Sequence, residues 1–135
     1  MAMNKHYEAY QNNAITTASG GQLTLMLYNG CIKFIKQAMN DVNEKNFEGK
    51  NTNIQKAQDI LQELMLTLDR NIPIAAELLP LYEYMHFRLT EANIQNSSAD
   101  LEEVLSYVID FRNTWKTVLQ TAGSNQATTI KDAQI

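Results

Sequence analysis

One cysteine, two prolines and five glycines in 135 residues exclude several kinds of protein at once. With Cys31 alone no intramolecular disulfide can form, and a reducing compartment is no obstacle to the fold. Scarce glycine and proline argue against a turn-rich β architecture, which needs such residues at its reversals. Two histidines, His6 and His86, are too few for a multi-histidine metal centre. No apolar run approaches the ~20 residues that span a bilayer. Nor does an apolar stretch follow Lys5, as a secretory signal would require. Lysine and arginine number 11 against 15 acidic residues, for a net charge of −4. A nucleic-acid binder would need a basic face to displace counterions, and an anionic membrane surface would repel this chain. These absences lead us to expect a cytoplasmic soluble protein with no nucleic-acid partner, no cofactor and no direct membrane insertion.

What is present is helical periodicity. Hydrophobic residues make up 44% of the chain, ordinary for a globular domain. A chain this long can bury roughly two-thirds of its unfolded surface without covalent staples. A first helix is expected from a cap at Ser19 to about Asn46, before a turn at Phe47-Glu48-Gly49. Leu23, Leu27, Tyr28, Cys31, Ile32, Ile35, Ala38, Met39 and Val42 form its face at steps of three and four. A second spans about Asn51–Asn71 on the stripe Ile54, Ala57, Leu61, Leu64 and Leu68, stopped by Asn71 and Pro73. A third covers about Ile74–Asn93, with Leu78, Leu79, Tyr82, Met85, Leu89 and Ala92 inward and Pro80 predicting a kink or a short preceding turn. A fourth runs from about Asp100 to Thr121 through Leu101, Val104, Leu105, Val108 and Trp115, with Gly123 as its stop.

The expectation is an all-α fold, an elongated antiparallel up-down four-helix bundle over residues 19–121. It is preceded by a loose arm at 1–18 and followed by a disordered polar tail at 122–135. The arm carries three bulky apolar groups, Tyr7, Tyr10 and Ile15, on an otherwise polar segment.

Catalysis finds little support. Glu83-x-x-His86 has the spacing of di-iron bundles, but such a site needs a second copy of the motif and two further inward glutamates. As a phosphoacceptor, His86 lacks the small neighbours that give access, standing among Tyr84, Met85 and Phe87. Cys31 lies on an inward stripe with nothing beside it to lower its pKa. Gly20-Gly21 is followed by no Lys-Ser/Thr and is no phosphate loop. The chain is expected not to be an enzyme. More telling are apolar residues off the main stripes: Phe34, Leu66, Tyr107 and Ile109. Those that miss the core would form exposed patches of the kind that mark binding surfaces.

Several fragments recur in one known order. They are Tyr7-x-x-Tyr10; Leu23-x-x-Met26-Leu27-Tyr28-Asn29-Gly30; Lys56-Ala57-x-x-Ile60-Leu61-x-x-Leu64; Leu81-Tyr82-x-Tyr84-Met85; Leu89-x-x-Ala92-Asn93; and Asp110-Phe111-Arg112-x-x-Trp115. Together, over about residues 7–120, they resemble the flagellar secretion chaperone FliS family, which binds flagellin. Two departures stand out. Gly20-Gly21 replaces the proline the family often carries before Leu23, and Asn29 replaces the commoner aspartate. The resemblance implies a cytoplasmic export chaperone. Its client would be the C-terminal disordered segment of flagellin, held from premature polymerisation and delivered to the flagellar type III export gate through the membrane protein FlhA. A helical adaptor for a different flagellar or regulatory client is the alternative. On this reading the partner-binding residues are Tyr7, Tyr10 and Ile15 on the arm, Ile54, Ala57, Leu61 and Leu64 of the second helix, and Tyr107 of the fourth. The arm would cover part of the client groove until flagellin displaces it, and Tyr10 would help dock the loaded chaperone.

Overall fold

Short connections decide the topology. In the computed structural model the described residues are 20–125, with side chains described to 121. They form α1 (Gly20–Asn43), α2 (Phe47–Thr67), α3 (Ala75–Gln95) and α4 (Ser98–Asn125). Helices joined by so few residues must run antiparallel to their sequence neighbours. α1 packs on α2 and α4, and α3 packs on the same two, so the helices form a ring in chain order. This is the expected all-helical bundle. At 1.5 Å per residue the helices are roughly 30–40 Å long, which makes it elongated. The arm, with the cap expected at Ser19, lies outside the described residues.

Each junction has a local cause. Lys45 adopts a left-handed φ of 60°. Its N–H donates to Val42 O at 3.1 Å and that of Asn46 to Asp41 O at 2.8 Å, the bond pair that closes a Schellman motif. Asn46 then caps α2, its side chain accepting from Gly49 N at 3.0 Å. A Cβ on Gly49 would stand 2.5 Å from the Asn46 side chain, so only glycine lets this cap close. The expected turn at Phe47-Glu48-Gly49 is therefore the first turn of α2, because Asn46 supplies the cap one residue earlier. α2 ends at Thr67, before the expected Asn71. There Asp69 folds back to accept from Asn71 N at 2.9 Å, and Arg70 donates to Met65 O at 3.1 Å. Pro80 sits inside α3, and a turn with Ala75 N donating to Ile72 O precedes the helix. Ser97 caps α4 by accepting from Asp100 N at 3.1 Å. α4 runs through Gly123 to Asn125, so glycine there is tolerated in the helix and does not stop it.

The core follows the predicted stripes. Leu27, Cys31, Ile35, Ile54, Leu61, Leu89, Leu101 and Val104 are fully buried. The backbones of diagonal helices stay apart, and long side chains cross between them. Tyr28 of α1 and Tyr82 of α3 meet hydroxyl to hydroxyl at 2.6 Å. Phe111 of α4 lies against both rings, 6.2 Å from Tyr28 and 6.1 Å edge-on from Tyr82. One hydroxyl donates and the other accepts, so each buried oxygen has a partner. Burial pushes the Tyr28 phenol up to about 12 and Tyr82 further still. At the far end Lys50 is buried, its Nζ donating to Asn93 O at 2.7 Å and to Asn96 Oδ1. A cation from α2 thereby caps the C-terminus of α3, where the helix dipole favours positive charge. Burial draws that ammonium below the usual lysine range.

Candidate protein-interaction surface

α3 has two apolar faces. One holds Ala75, Leu78, Tyr82, Met85, Leu89 and Ala92, all buried. The other looks outward. Tyr84 is 40% exposed, Phe87 56% and Ile94 75%. At 100° per residue these three fall on one outer band with Pro80 and Glu91, and Leu81, 39% exposed, lies between this band and the core. Single exposed apolar residues are ordinary; several along one helix face are not.

The band continues onto α4. The Tyr84 ring stands edge-on to that of Tyr107, with centroids 6.3 Å apart. The Tyr84 hydroxyl donates to Glu103 Oε2 at 2.8 Å. Arg88 binds the same carboxylate through Nε at 2.9 Å, and its other nitrogens reach Glu91 and Asp100. One guanidinium thus ties three carboxylates on two helices and fixes the aromatic pair at their seam. The bonds from Tyr84 and then Arg88 hold the Glu103 carboxyl below its usual range. A carboxyl depressed on folding adds stability above its unfolded pKa and loses it as pH falls through the folded one. The wild type should therefore lose more stability than Glu103→Gln between about pH 5 and pH 3. Thermal melts across that range check this, and parallel curves for the two proteins would refute it.

The other candidate residues fall as follows. Tyr107, 37% exposed, lies on the surface at the seam. Tyr7, Tyr10 and Ile15 lie outside the described residues. Ile54, Ala57, Leu61 and Leu64 are at most 2% exposed, so they lie in the core and not on an open face of the bundle. α2 has one continuous apolar stripe, and the core between α1 and α3 uses all of it. Of the off-stripe residues, Phe34 and Ile109 pack partly against the core, whereas Leu66 is 79% exposed. Sequence reasoning passed over Tyr84, Phe87 and Ile94 as surface residues. Their signal was available, because each lies off the inward stripe of its helix.

Other chemistry is sparse. Among the described residues no group of three or more His, Cys, Asp or Glu side chains could hold a metal ion. Burial pushes the Cys31 thiol up to about 12, so it stays protonated. His86 faces α2, its Nε2 3.5 Å from the Gln62 amide, and burial lowers its pKa. A shallow pocket of about 230 Å³ on α4, lined by Glu102, Leu105, Ser106, Ile109 and Asp110, is smaller than the usual small-molecule site. No described helix is long and apolar enough to cross a membrane.

Comparison with known proteins agrees with a binding role. The family model described as "Flagellar protein FliS" matches residues 3–122. The flagellar secretion chaperone FliS of Bacillus subtilis is 50% identical over 120 residues, 89% of this chain and 90% of that protein. The Escherichia coli protein of the same name is 31% identical over 107 residues, covering 77% and 79%. The flagellar secretion chaperone FliSB of Pseudomonas aeruginosa is 29% identical, covering 84% and 92%.

Proposed function

The chain belongs to the flagellar protein FliS family of secretion chaperones, and on that premise we propose that its client is flagellin. It binds the C-terminal segment of newly made flagellin in the bacterial cytoplasm. It keeps that segment from polymerising early, and the complex is delivered to the export gate through FlhA. The observation that supports this reading is the outward band of Tyr84, Phe87 and Ile94, continued by Tyr107, on a bundle whose core is already complete without it. A disordered client loses conformational entropy when it is held, and apolar area must offset that loss. An exposed helix face with anchors three and seven residues apart suits an incoming amphipathic helix. Such a face invites self-association when empty. We assign Tyr7, Tyr10 and Ile15 to a cap that covers it in the free chaperone, with Tyr10 also contacting the export gate in the loaded one.

Calorimetric titration with the C-terminal segment of the cognate flagellin tests the reading. An equimolar complex with a large negative heat-capacity change is the expected result. No binding at tens of micromolar would remove flagellin as the client and leave an adaptor for another flagellar protein. Repeating the titration after deleting residues 1–17 tests the cap. Client affinity should rise and monomer solubility fall; if neither moves, there is no cap.

A further inference from the structure

Pro80, Tyr84, Phe87, Glu91 and Ile94 follow one another along α3 at steps of four, three, four and three. Pro80, Tyr84, Phe87 and Ile94 are exposed, and the Glu91 side chain is half-buried among them. Alternate steps of four and three make the 3.5-residue repeat of a coiled-coil seam. A partner helix on such a seam lies nearly along the first, crossing it at about 20°. The stripe is about 21 Å long at 1.5 Å per residue, room for about four turns of a partner.

One member breaks the apolar pattern. Glu91 stands between Phe87 and Ile94, where the repeat calls for a hydrophobic side chain. It gives Arg88 its Oε1. Arg88 also binds Asp100 and Glu103, and Glu103 uses its other oxygen for the Tyr84 hydroxyl. One positive charge is thus set against three negative ones, and the seam keeps an excess of negative charge beside the stripe. A helix that covered the stripe would take Glu91 out of water. Burying a carboxylate whose one cation is shared with two others is unfavourable unless the incoming helix brings a cation of its own. A second copy of this chain would instead bring two such negative clusters together, and like charges oppose that pairing.

We infer that Glu91 is a specificity-determining residue of the outward band. It admits an amphipathic helix of the client that carries a lysine or arginine opposite it within an otherwise apolar stripe, and it holds that helix in one register. A single polar residue at such a position sets register in coiled coils, at some expense of stability. A helix with an apolar or acidic side chain at that place is rejected, because Glu91 would be buried without its cation. This rests on the flagellin reading above and adds which face of the client helix seats on the band, and in which register.

The test is a charge swap between the full chain and the flagellin C-terminal segment, read by calorimetry at low salt. The chaperone variants are E91K, the milder E91Q, and E102K as a control on an exposed carboxylate of α4 that lines the shallow pocket there. In the segment each lysine or arginine is replaced in turn by glutamate, and separately by glutamine. Thermal melts establish which chaperone variants are folded. We expect one segment position at which glutamate weakens binding to the wild type roughly tenfold or more, and at that position alone E91K should restore binding to within about threefold of the native pair. E102K should restore none. Glutamine at that position should weaken binding to the wild type but not to E91Q, and this comparison carries the test if E91K is unfolded. If a folded E91K rescues no position, rescues several alike or is matched by E102K, the inference falls and the client reading stands. Equal losses to glutamine in E91Q and the wild type have the same consequence. A wild type that binds no segment at all overturns both. A change of self-association in E91K or E91Q without a change of client affinity would give the band to a second copy of the chain and overturn the occupant named here.

Discussion

Leu61→Ala should cost the bundle about 2–5 kcal/mol, the range for emptying a leucine site in a packed core. Leu61 is fully buried at the middle of α2, the helix that packs on both α1 and α3. Each kcal/mol lowers Tm by roughly 4–8 °C in a domain near this size, so the melt should move by tens of degrees at the upper end. Leu66→Ala, five positions on at 79% exposure, should change stability by no more than about 0.5 kcal/mol. The comparison also decides what the α2 stripe is for. At a temperature where Leu61→Ala remains folded, its affinity for the flagellin segment should match the wild type. Unchanged melting with lost affinity would return Leu61 to the client groove and show that the core opens to admit the client.

The fold was readable because its determinants are local. The stripes of α1 and α4, the polar break at Asn96-Ser97-Ser98 and the stop before Pro73 are each visible within a few residues of sequence. The boundaries that moved did so for reasons that depend on atoms meeting. Asn46 caps α2 only because Lys45 enters the left-handed region and Gly49 leaves space for the cap. The surface was harder to read. Ile54, Ala57, Leu61 and Leu64 sit at the same three- and four-residue steps that an exposed groove would show, and periodicity does not tell core from groove. Only the bundle's closure showed that α1 and α3 together cover that stripe. On α3 the reverse holds, since no described helix covers Tyr84, Phe87 and Ile94.

The motif residues behind the family resemblance divide in the same way. Tyr28, Tyr82 and Phe111 form the aromatic cluster that crosses the bundle's diagonal. Asn29 accepts from Arg112 at 3.0 Å, tying α1 to α4 at the surface. Among the described motif residues, Tyr84 faces the outward band. Much of what identifies the family is therefore what builds the scaffold, and the outward band is a smaller set laid over it. This separates two kinds of variant: scaffold changes should alter melting first, and band changes should alter binding first.

Trp115 belongs to the scaffold, and its removal should be among the most damaging single changes. The indole is 3% exposed, and its Nε1 donates to Gly21 O at 2.8 Å. That bond fastens the later half of α4 to the first turn of α1. Trp115→Ala opens a large cavity and removes the bond together, so about 3–5 kcal/mol should be lost. Trp115→Phe keeps most of the apolar volume and removes the donor. Its own cost should be smaller, near the ~1 kcal/mol of one hydrogen bond with a modest packing loss added. Urea unfolding followed by circular dichroism measures both, since the chain has no other tryptophan for fluorescence to report. If alanine cost no more than phenylalanine, the hydrogen bond and not the packing would be what holds this end of the bundle. If both were near neutral, the α1–α4 junction would already be open in solution. The apolar surface released there would then be a further candidate for the client, at the first turn of α1.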